Sequence, residues 1–337
     1  MKHLIDQNKK QYKANLHCHT ILSDGKWTAE RVKEEYKKRG YSVIAITDHE
    51  HLVSHHDLTD DEILFLTAYE VYVRNLPFDF QRGSQSHFNL YSKTPENKML
   101  YFTPNHTKYM TKEELENVEY HYYVENREFC IPFIKQMIKD AKKHGFIVCH
   151  NHPTWSYEDE THADAYEECF AMEVYNHGAY VEGFNEYNEH YYDYQLNKGR
   201  RMGPIAADDN HDKYELGDPL NDSFGGMTYI LADSLDYDTI IKALENKDFY
   251  ASTGPQIYSL TVDNGIMSVR TSNAERICFV NNARRRGATW GTKDSPVSEA
   301  TFEISDKVEW VFVEVTDFSG KKAYSRAYFR DELIEKE

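Results

Sequence analysis

Short apolar runs in the first 211 residues end, one after another, in histidine or an acidic residue, and this pattern constrains the fold more than any other feature of the chain. Residues 12–19 close on His17-Cys18-His19, and the run 42–47 (Ser-Val-Ile-Ala-Ile-Thr) is followed by Asp48-His49. Glu70 follows 63–67, His150-Asn151-His152 follows 146–149, and Asp209-Asn210-His211 follows 204–207. Amphipathic stretches separate most of these runs, as in consecutive β-α units. Strand ends that carry the chemistry converge on one mouth when parallel strands close into a barrel, however far apart they lie in sequence.

The helices are legible from their caps and periodicity. Thr28 caps a helix reaching about Lys38, with Ala29, Val32 and Tyr36 on one face and Gly40 as the stop. Thr111 with Glu114 fits a capping box. A helix over 131–143 carries Ile134, Met137, Ile138 and Ala141 on its apolar face and closes at Gly145. Another is expected over about 182–197, and one over 237–246 after a strand at 225–231. The run 171–175 reads as one more strand. Beyond Phe249 the pattern changes to period two, with turns at Asp263-Asn264-Gly265 and Ser319-Gly320. A boundary at 256/257 therefore divides an α/β domain, 1–256, from a small all-β, sandwich-like module, 257–337.

Composition excludes some functions. A formal net charge of −17 opposes broad binding to nucleic acid or an anionic membrane. No apolar stretch is long enough to span a bilayer, and residues 1–13 lack the apolar core of a signal peptide. Cys18, Cys130, Cys149, Cys169 and Cys278 make no Cys-x-x-Cys pair, which points to reduced thiols and a cytoplasmic setting. Of the 17 histidines, His3, His55, His56, His106, His121, His144, His162 and His190 have no patterned partner and read as surface or packing residues. The tyrosines concentrated at 101–123 and 187–194 read as packing rather than as a stacking platform.

The remaining histidines carry the chemistry. Residues two apart on a strand share a face, so His17 and His19 can grip one metal ion or adjacent ones. Asp209 with His211, and His150 with His152, repeat the spacing. His17-Cys18-His19 followed by Ser23-Asp24-Gly25 resembles the opening motif of the polymerase and histidinol phosphatase (PHP) family, and Ile46-Thr47-Asp48-His49 resembles its second. Glu70 stands where that family has Gly-x-Glu, with Ala68 in place of the glycine. His87 in His-Phe-Asn-Leu-Tyr, His152-Pro153 and Asp209-Asn210-His211 resemble its later motifs, in the family's order over residues 15–211. Residues 249–255 and the β tail resemble the carbaryl-hydrolase-like branch.

That resemblance implies a distorted (β/α)7 barrel and phosphoester hydrolysis by a metal-bridging hydroxide on two or three divalent ions. The implied ligands are His17, His19, Asp24, His49, Glu70, His87, His152, Asp209 and His211. Asp24 could instead serve an Asp-Gly turn, and His87 a structural role. Asp48, His150, Glu173 and Asp208 sit beside these positions and are expected to orient imidazoles or a bound water. His51 and His177 could approach substrate as helpers, or be solvated loop residues. Arg74, Arg82 and Lys93 flank Glu70 and His87 and could contact phosphate, although such charges are commonly just solvated. Residues 252–255 could line an anion site or form a plain turn. A mixed His and carboxylate set suits Mn, Zn or Fe. Three such ions against three carboxylates would leave a charge of about +3, suited to a small phosphorylated metabolite or nucleotide. Two other readings remain open: hydrolysis of a carboxyl ester, carbamate or amide on the same cluster, and a non-catalytic metal-binding or assembly module.

Overall fold

The computed structural model describes residues 1–102, 108–116, 119–123, 127–284 and 286–334. His106 lies outside them, and so does the side chain of His121. Twelve strands precede residue 256: β1 (Lys2–Ile5), β2 (Lys10–Asn15), β3 (Val43–Ile46), β4 (Leu64–Arg74), β5 (Gln85–Ser92), β6 (Met99–Phe102), β7 (Glu119–Tyr123), β8 (Phe146–Asn151), β9 (Ala171–Asn176), β10 (Gly203–Ala207), β11 (Met227–Ala232) and β12 (Phe249–Ser252). Eight follow: β13 (Ile257–Asp263), β14 (Ile266–Ala274), β15 (Arg276–Asn281), β16 (Gly287–Trp290), β17 (Val297–Glu303), β18 (Trp310–Thr316), β19 (Lys322–Ser325) and β20 (Tyr328–Phe329).

The architecture is α/β, with one large mixed sheet of 14 strands and a four-stranded sheet β1-β13-β14-β17. In the large sheet β2, β3 and β4 run parallel, as do β8, β9 and β10. Between these sets β5 runs antiparallel to both β4 and β8, which breaks the uniform β-α repeat expected from the sequence. The two ends of this seven-strand set meet. Cys18, beyond β2, bridges in parallel to Asn210, beyond β10, and Asp208 N–H donates to Asn15 Oδ1 at 3.0 Å. Small and branched residues fill the interior, among them Leu16, Ala45, Leu66, Cys149 and Ala207.

Three expected helices form where the caps placed them. In Ala29–Lys37, Thr28 accepts a hydrogen bond from Arg31 N–H, and Ala29, Val32 and Tyr36 are buried. Ile131–Lys143 buries Ile134, Met137, Ile138 and Ala141, and Gly145 leaves it with φ of 85°. Tyr237–Asn246 is capped by Asp236. The capping box opens a short helix, Lys112–Glu116, with Glu114 N–H donating to Thr111 Oγ1. Of the helix expected over 182–197 only Glu189–Asn197 forms, and a separate short helix, His177–Val181, lies before the expected span. Glu182 caps that short helix, and Gly183, with φ of 101°, turns the chain away from it.

The C-terminal strands join the large sheet through β12, which pairs with β19, and β1 pairs with β13. The sheets therefore run across residue 256. No helix among the described residues is long and apolar enough to cross a membrane.

Candidate metal centre

The nine implied ligands come together. Backbone pairing beyond β2 and β10 sets the floor: His19 N–H donates to Asn210 O (3.0 Å) and Asp209 N–H to His17 O (2.9 Å). His17 Nε2 and His19 Nε2 stand 3.2 Å apart, and Asp209 Oδ1 is 3.0 Å from the first and 2.9 Å from the second. Glu70, within β4, reaches the middle. Its Oε1 lies 3.3 Å from His17 Nε2, 3.1 Å from His87 Nδ1 and 3.3 Å from His152 Nε2. At the rim, Asp24 Oδ1 is 3.4 Å from His211 Nε2 and 3.7 Å from His49 Nε2. These residues form four overlapping groups, within each of which the ligand atoms lie within 4.8 Å of one another: His19-Asp24-His49-His211, His17-His19-Glu70, His17-His152-Asp209 and His49-Glu70-His87.

The donor set fits cations. Among the described residues, Asp24 Oδ1, His49 Nδ1, Glu70 Oε2 and His87 Nε2 are buried atoms with no hydrogen-bond partner. His49 Nδ1 and Glu70 Oε2 even face each other at 2.8 Å without hydrogen-bond geometry. Buried polar atoms are ordinarily paired, so four orphans in one cluster mark a place shaped for something else. Electrostatics agrees. Burial opposes charge on Glu70, yet His87, His17 and His49 hold its carboxyl well below the usual range. Burial likewise opposes charge on His152 and His211, yet neighbouring Glu70 and Asp24 bring each up to about 9. The carboxylates call for positive charge, which divalent ions would supply in place of protons.

Most of these imidazoles are held from behind. His17 Nδ1 meets Glu173 Oε1 at 2.7 Å, His152 Nδ1 meets Ser156 Oγ at 3.1 Å, and His211 Nδ1 meets Asp209 O at 3.0 Å. His19 Nδ1 is 3.4 Å from Ser23 Oγ, which donates to Asp48 Oδ1 at 2.6 Å. In all four, Nδ1 is taken and Nε2 faces the cluster, the arrangement in which outer partners fix a ligand's orientation and tautomer. Glu173 thus lies directly behind His17, and Asp48 reaches His19 through Ser23.

Other expected residues lie elsewhere. His150 does not share a face with His152: its Nε2 is 3.0 Å from Glu158 Oε1, and its ring stacks on Tyr166 at 3.9 Å. The strand ends at Asn151, and His152 turns out of it with φ of 24°, so period-two alternation fails there. Asn151 takes the inward place, donating to Glu70 Oε1 at 2.8 Å. Asp208 orients no imidazole. It accepts from Tyr36 Oη and from the backbone N–H groups of Phe224, Gly225 and Gly226, fixing that loop. His51 is buried with Nδ1 3.1 Å from Leu22 O, and His177 packs on Gly225 with Nδ1 2.8 Å from Tyr175 Oη. Lys93 pairs with Glu245 at 2.5 Å, Arg82 is an exposed loop residue, and residues 252–255 form a turn closed by Ser252 Oγ donating to Pro255 O.

The sequence reading passed over a buried pair that clamps two ligand segments. Arg127 Nη1 and Nη2 donate to Glu50 Oε1 and Oε2 at 2.5 and 2.8 Å, and Glu50 N–H donates to Glu70 O at 2.8 Å. It also passed over the cleft above the cluster, about 850 Å3, where Arg74, Lys108 and Lys213 supply cations and Trp155 stands beside the ligands.

No family model matches the chain, and no curated protein does. Among solved structures, a two-domain Bacteroides vulgatus protein containing a predicted PHP-like metal-dependent phosphoesterase is similar at 18% identity and a TM-score of 0.47, over 96% of each chain. A Bifidobacterium adolescentis protein proposed to be a metal-dependent phosphoesterase is similar at 15% identity and a TM-score of 0.40, over 62% of this chain and 92% of that one. At those TM-scores neither likeness bears on the fold or function of this chain.

Proposed function

We propose that the chain is a metal-dependent phosphoesterase of PHP type acting on a small phosphorylated molecule, with a (β/α)7-like barrel in 1–256 and a β module in 257–337. One observation carries the reading: nine positions in PHP motif order, scattered from His17 to His211, fall into one cluster with orphaned inward atoms. The tail motif of 249–255 adds the carbaryl-hydrolase-like branch to the same proposal.

His17, His19, Asp24, His49, Glu70, His87, His152, Asp209 and His211 would hold two or three ions of Mn, Zn or Fe. Such ions, when bound, polarise phosphoryl oxygens and acidify water. The chain's own residues do the rest. Glu173, Ser156 and the Ser23–Asp48 pair keep the histidine Nε2 atoms aimed inward. The burial of His17, His19 and Glu70 keeps bulk water from the floor of the site. Arg74, Lys108 and Lys213 line the cleft where a phosphoryl group would enter, and their charge offsets that of the substrate.

The test joins elemental analysis to activity. Protein purified without chelator should carry at least two equivalents of transition metal, and p-nitrophenyl phosphate should be cleaved in a Mn-dependent way, with inorganic phosphate competing. Cleavage of p-nitrophenyl acetate far ahead of the phosphate, without phosphate inhibition, would turn the reading toward carbon esters. Metal-free protein that gains no ion from Mn or Zn would end it.

A further inference from the structure

The cleft is far larger than a phosphoryl group, and one of its walls is aromatic. Trp155 begins that wall at the cluster itself, its ring edge-to-face with His152 at 5.0 Å and with His87 at 5.5 Å between centroids. Phe80 continues it, edge-to-face with Trp155 at 6.4 Å, and Tyr157 pairs with Phe184 at 6.1 Å further along. All four line the cleft. Phe80 is 70% exposed and Tyr157 54%, so these rings are not core packing. Trp155 is nonetheless fixed, its backbone N–H donating to Glu186 and its indole Nε1 to Glu182 Oε2 at 3.0 Å.

Rings left in water beside a cluster, and held in place, are organised for a ligand rather than for folding. The occupant follows from geometry. A phosphoryl group on the cluster cannot extend its ester substituent through the floor, where His17 and His19 are fully buried, so the substituent must run out along the cleft. There it meets ring edges and faces, which favour another flat π-system through edge-to-face and offset contacts.

We propose that the ester substituent of the substrate is a planar aromatic ring, bound against Trp155 and Phe80, with Tyr157 and Phe184 at the outer end. The proposal rests on the phosphoesterase reading for the phosphoryl end and on the aromatic wall for the ring. Two ring contacts of the usual strength correspond to a preference of about tenfold over a saturated substituent of the same size.

The test compares 2-(2-naphthyl)ethyl phosphate with its saturated counterpart, 2-(decahydronaphthalen-2-yl)ethyl phosphate, on the metal-loaded full chain. Both have primary alkoxide leaving groups and substituents of similar size, so the chemistry is equally difficult and the aromaticity of the ring is what differs. Wild type should favour the naphthyl ester in kcat/KM by about tenfold. Phe80→Ala should lower that ratio severalfold, Trp155→Ala should bring it near one, and Trp155→Phe should keep most of it. The ratio within each variant is the readout, so a general loss of activity does not mimic the effect. Phe80, being at the surface, can be removed without threat to the fold. Calorimetric binding of 2-naphthylmethylphosphonate against (decahydronaphthalen-2-yl)methylphosphonate provides a readout independent of turnover, with the same tenfold ratio expected and the same losses. A binding ratio near one in wild type, or one that survives both alanine variants, overturns the proposal. If the binding ratio holds while neither ester is hydrolysed, the aromatic subsite stands and the phosphoesterase reading falls. If neither phosphonate binds, both fall.

Discussion

Replacing Arg127 with methionine removes the guanidinium from Glu50 while keeping most of the side chain's bulk. Both partners are buried, Glu50 1% and Arg127 6% exposed, so water cannot take over the lost interaction. Breaking a buried pair by deleting one partner typically costs about 3–5 kcal/mol. For 337 residues the unfolding entropy is roughly 0.7 kcal/mol/K, so the melting temperature should fall by about 4–7 °C. The sign of the pH dependence follows from Glu50. Burial already holds its carboxyl above the ordinary range, with Arg127 opposing that rise. Without Arg127 the folded pKa climbs further above the unfolded value of about 4.3. The folded variant then binds a proton that the unfolded chain has released, so its stability declines as pH rises through that folded pKa. The deficit against wild type should therefore be smaller at about pH 4.5 than at about pH 8. Adding Glu50→Gln should recover part of it at the higher pH. Because Glu50 N–H donates to Glu70 O, metal affinity measured by chelator competition should weaken too. Denaturation curves at both pH values are the assay. A loss under about 1 kcal/mol, or one equal at the two pH values, would refute the reasoning.

Glu173→Gln should leave the fold intact and weaken metal binding by about 10–100-fold in chelator competition, because His17 loses its charged outer partner. His51→Ala should keep its metal by elemental analysis, whereas Asp209→Ala should lose both metal and activity; full activity in the latter would show the cluster to be misassigned. A Cβ on Gly226 would stand 2.3 Å from Ala207 O, so Gly226→Ala should destabilise by about 1–3 kcal/mol in a urea titration. For the 256/257 boundary, limited proteolysis is expected to cut first within 255–265 or 281–296, and first cuts in loops before 255 would make the whole chain one unit.

The cluster of histidines and carboxylates was legible because strand-end chemistry is written locally, as a short apolar run and the polar residues after it. His150 was misread for a local reason as well: alternation holds only while the strand continues, and the left-handed turn at His152 ends it. The strand holding His87 escaped notice because Gln85, Ser86, His87, Asn89 and Ser92 are polar yet fully buried, and its reversed direction leaves no trace in composition. Glu50–Arg127 joins residues 77 apart. The aromatic wall is assembled from Phe80, Trp155, Tyr157 and Phe184, on three loops far apart in sequence. Neither has a spacing that could be read. The helix over 182–197 was begun too early, because the turn at Gly183 and the bridge from Tyr187 to Tyr175 are backbone features that periodicity does not register, and the helix starts only at Glu189.

The pairing of β2 with β11 has a consequence for the order of events during synthesis. The first strand of the large sheet leaves the ribosome some 217 residues before the end of β11, at 232, has been made. At about 5–20 residues per second that interval is roughly 10–40 s. Through most of it His17 and His19 wait without Asp209 or His211, and β1 waits longer for β13. Three of the nine cluster residues, His152, Asp209 and His211, come from beyond residue 150. An ion captured by the nascent chain would find an incomplete set of ligands, so complete loading of the centre has to follow closure of the sheet. Metal selection would then be exercised by a nearly finished protein, and the supply of ions around the completed chain would decide which metal is kept.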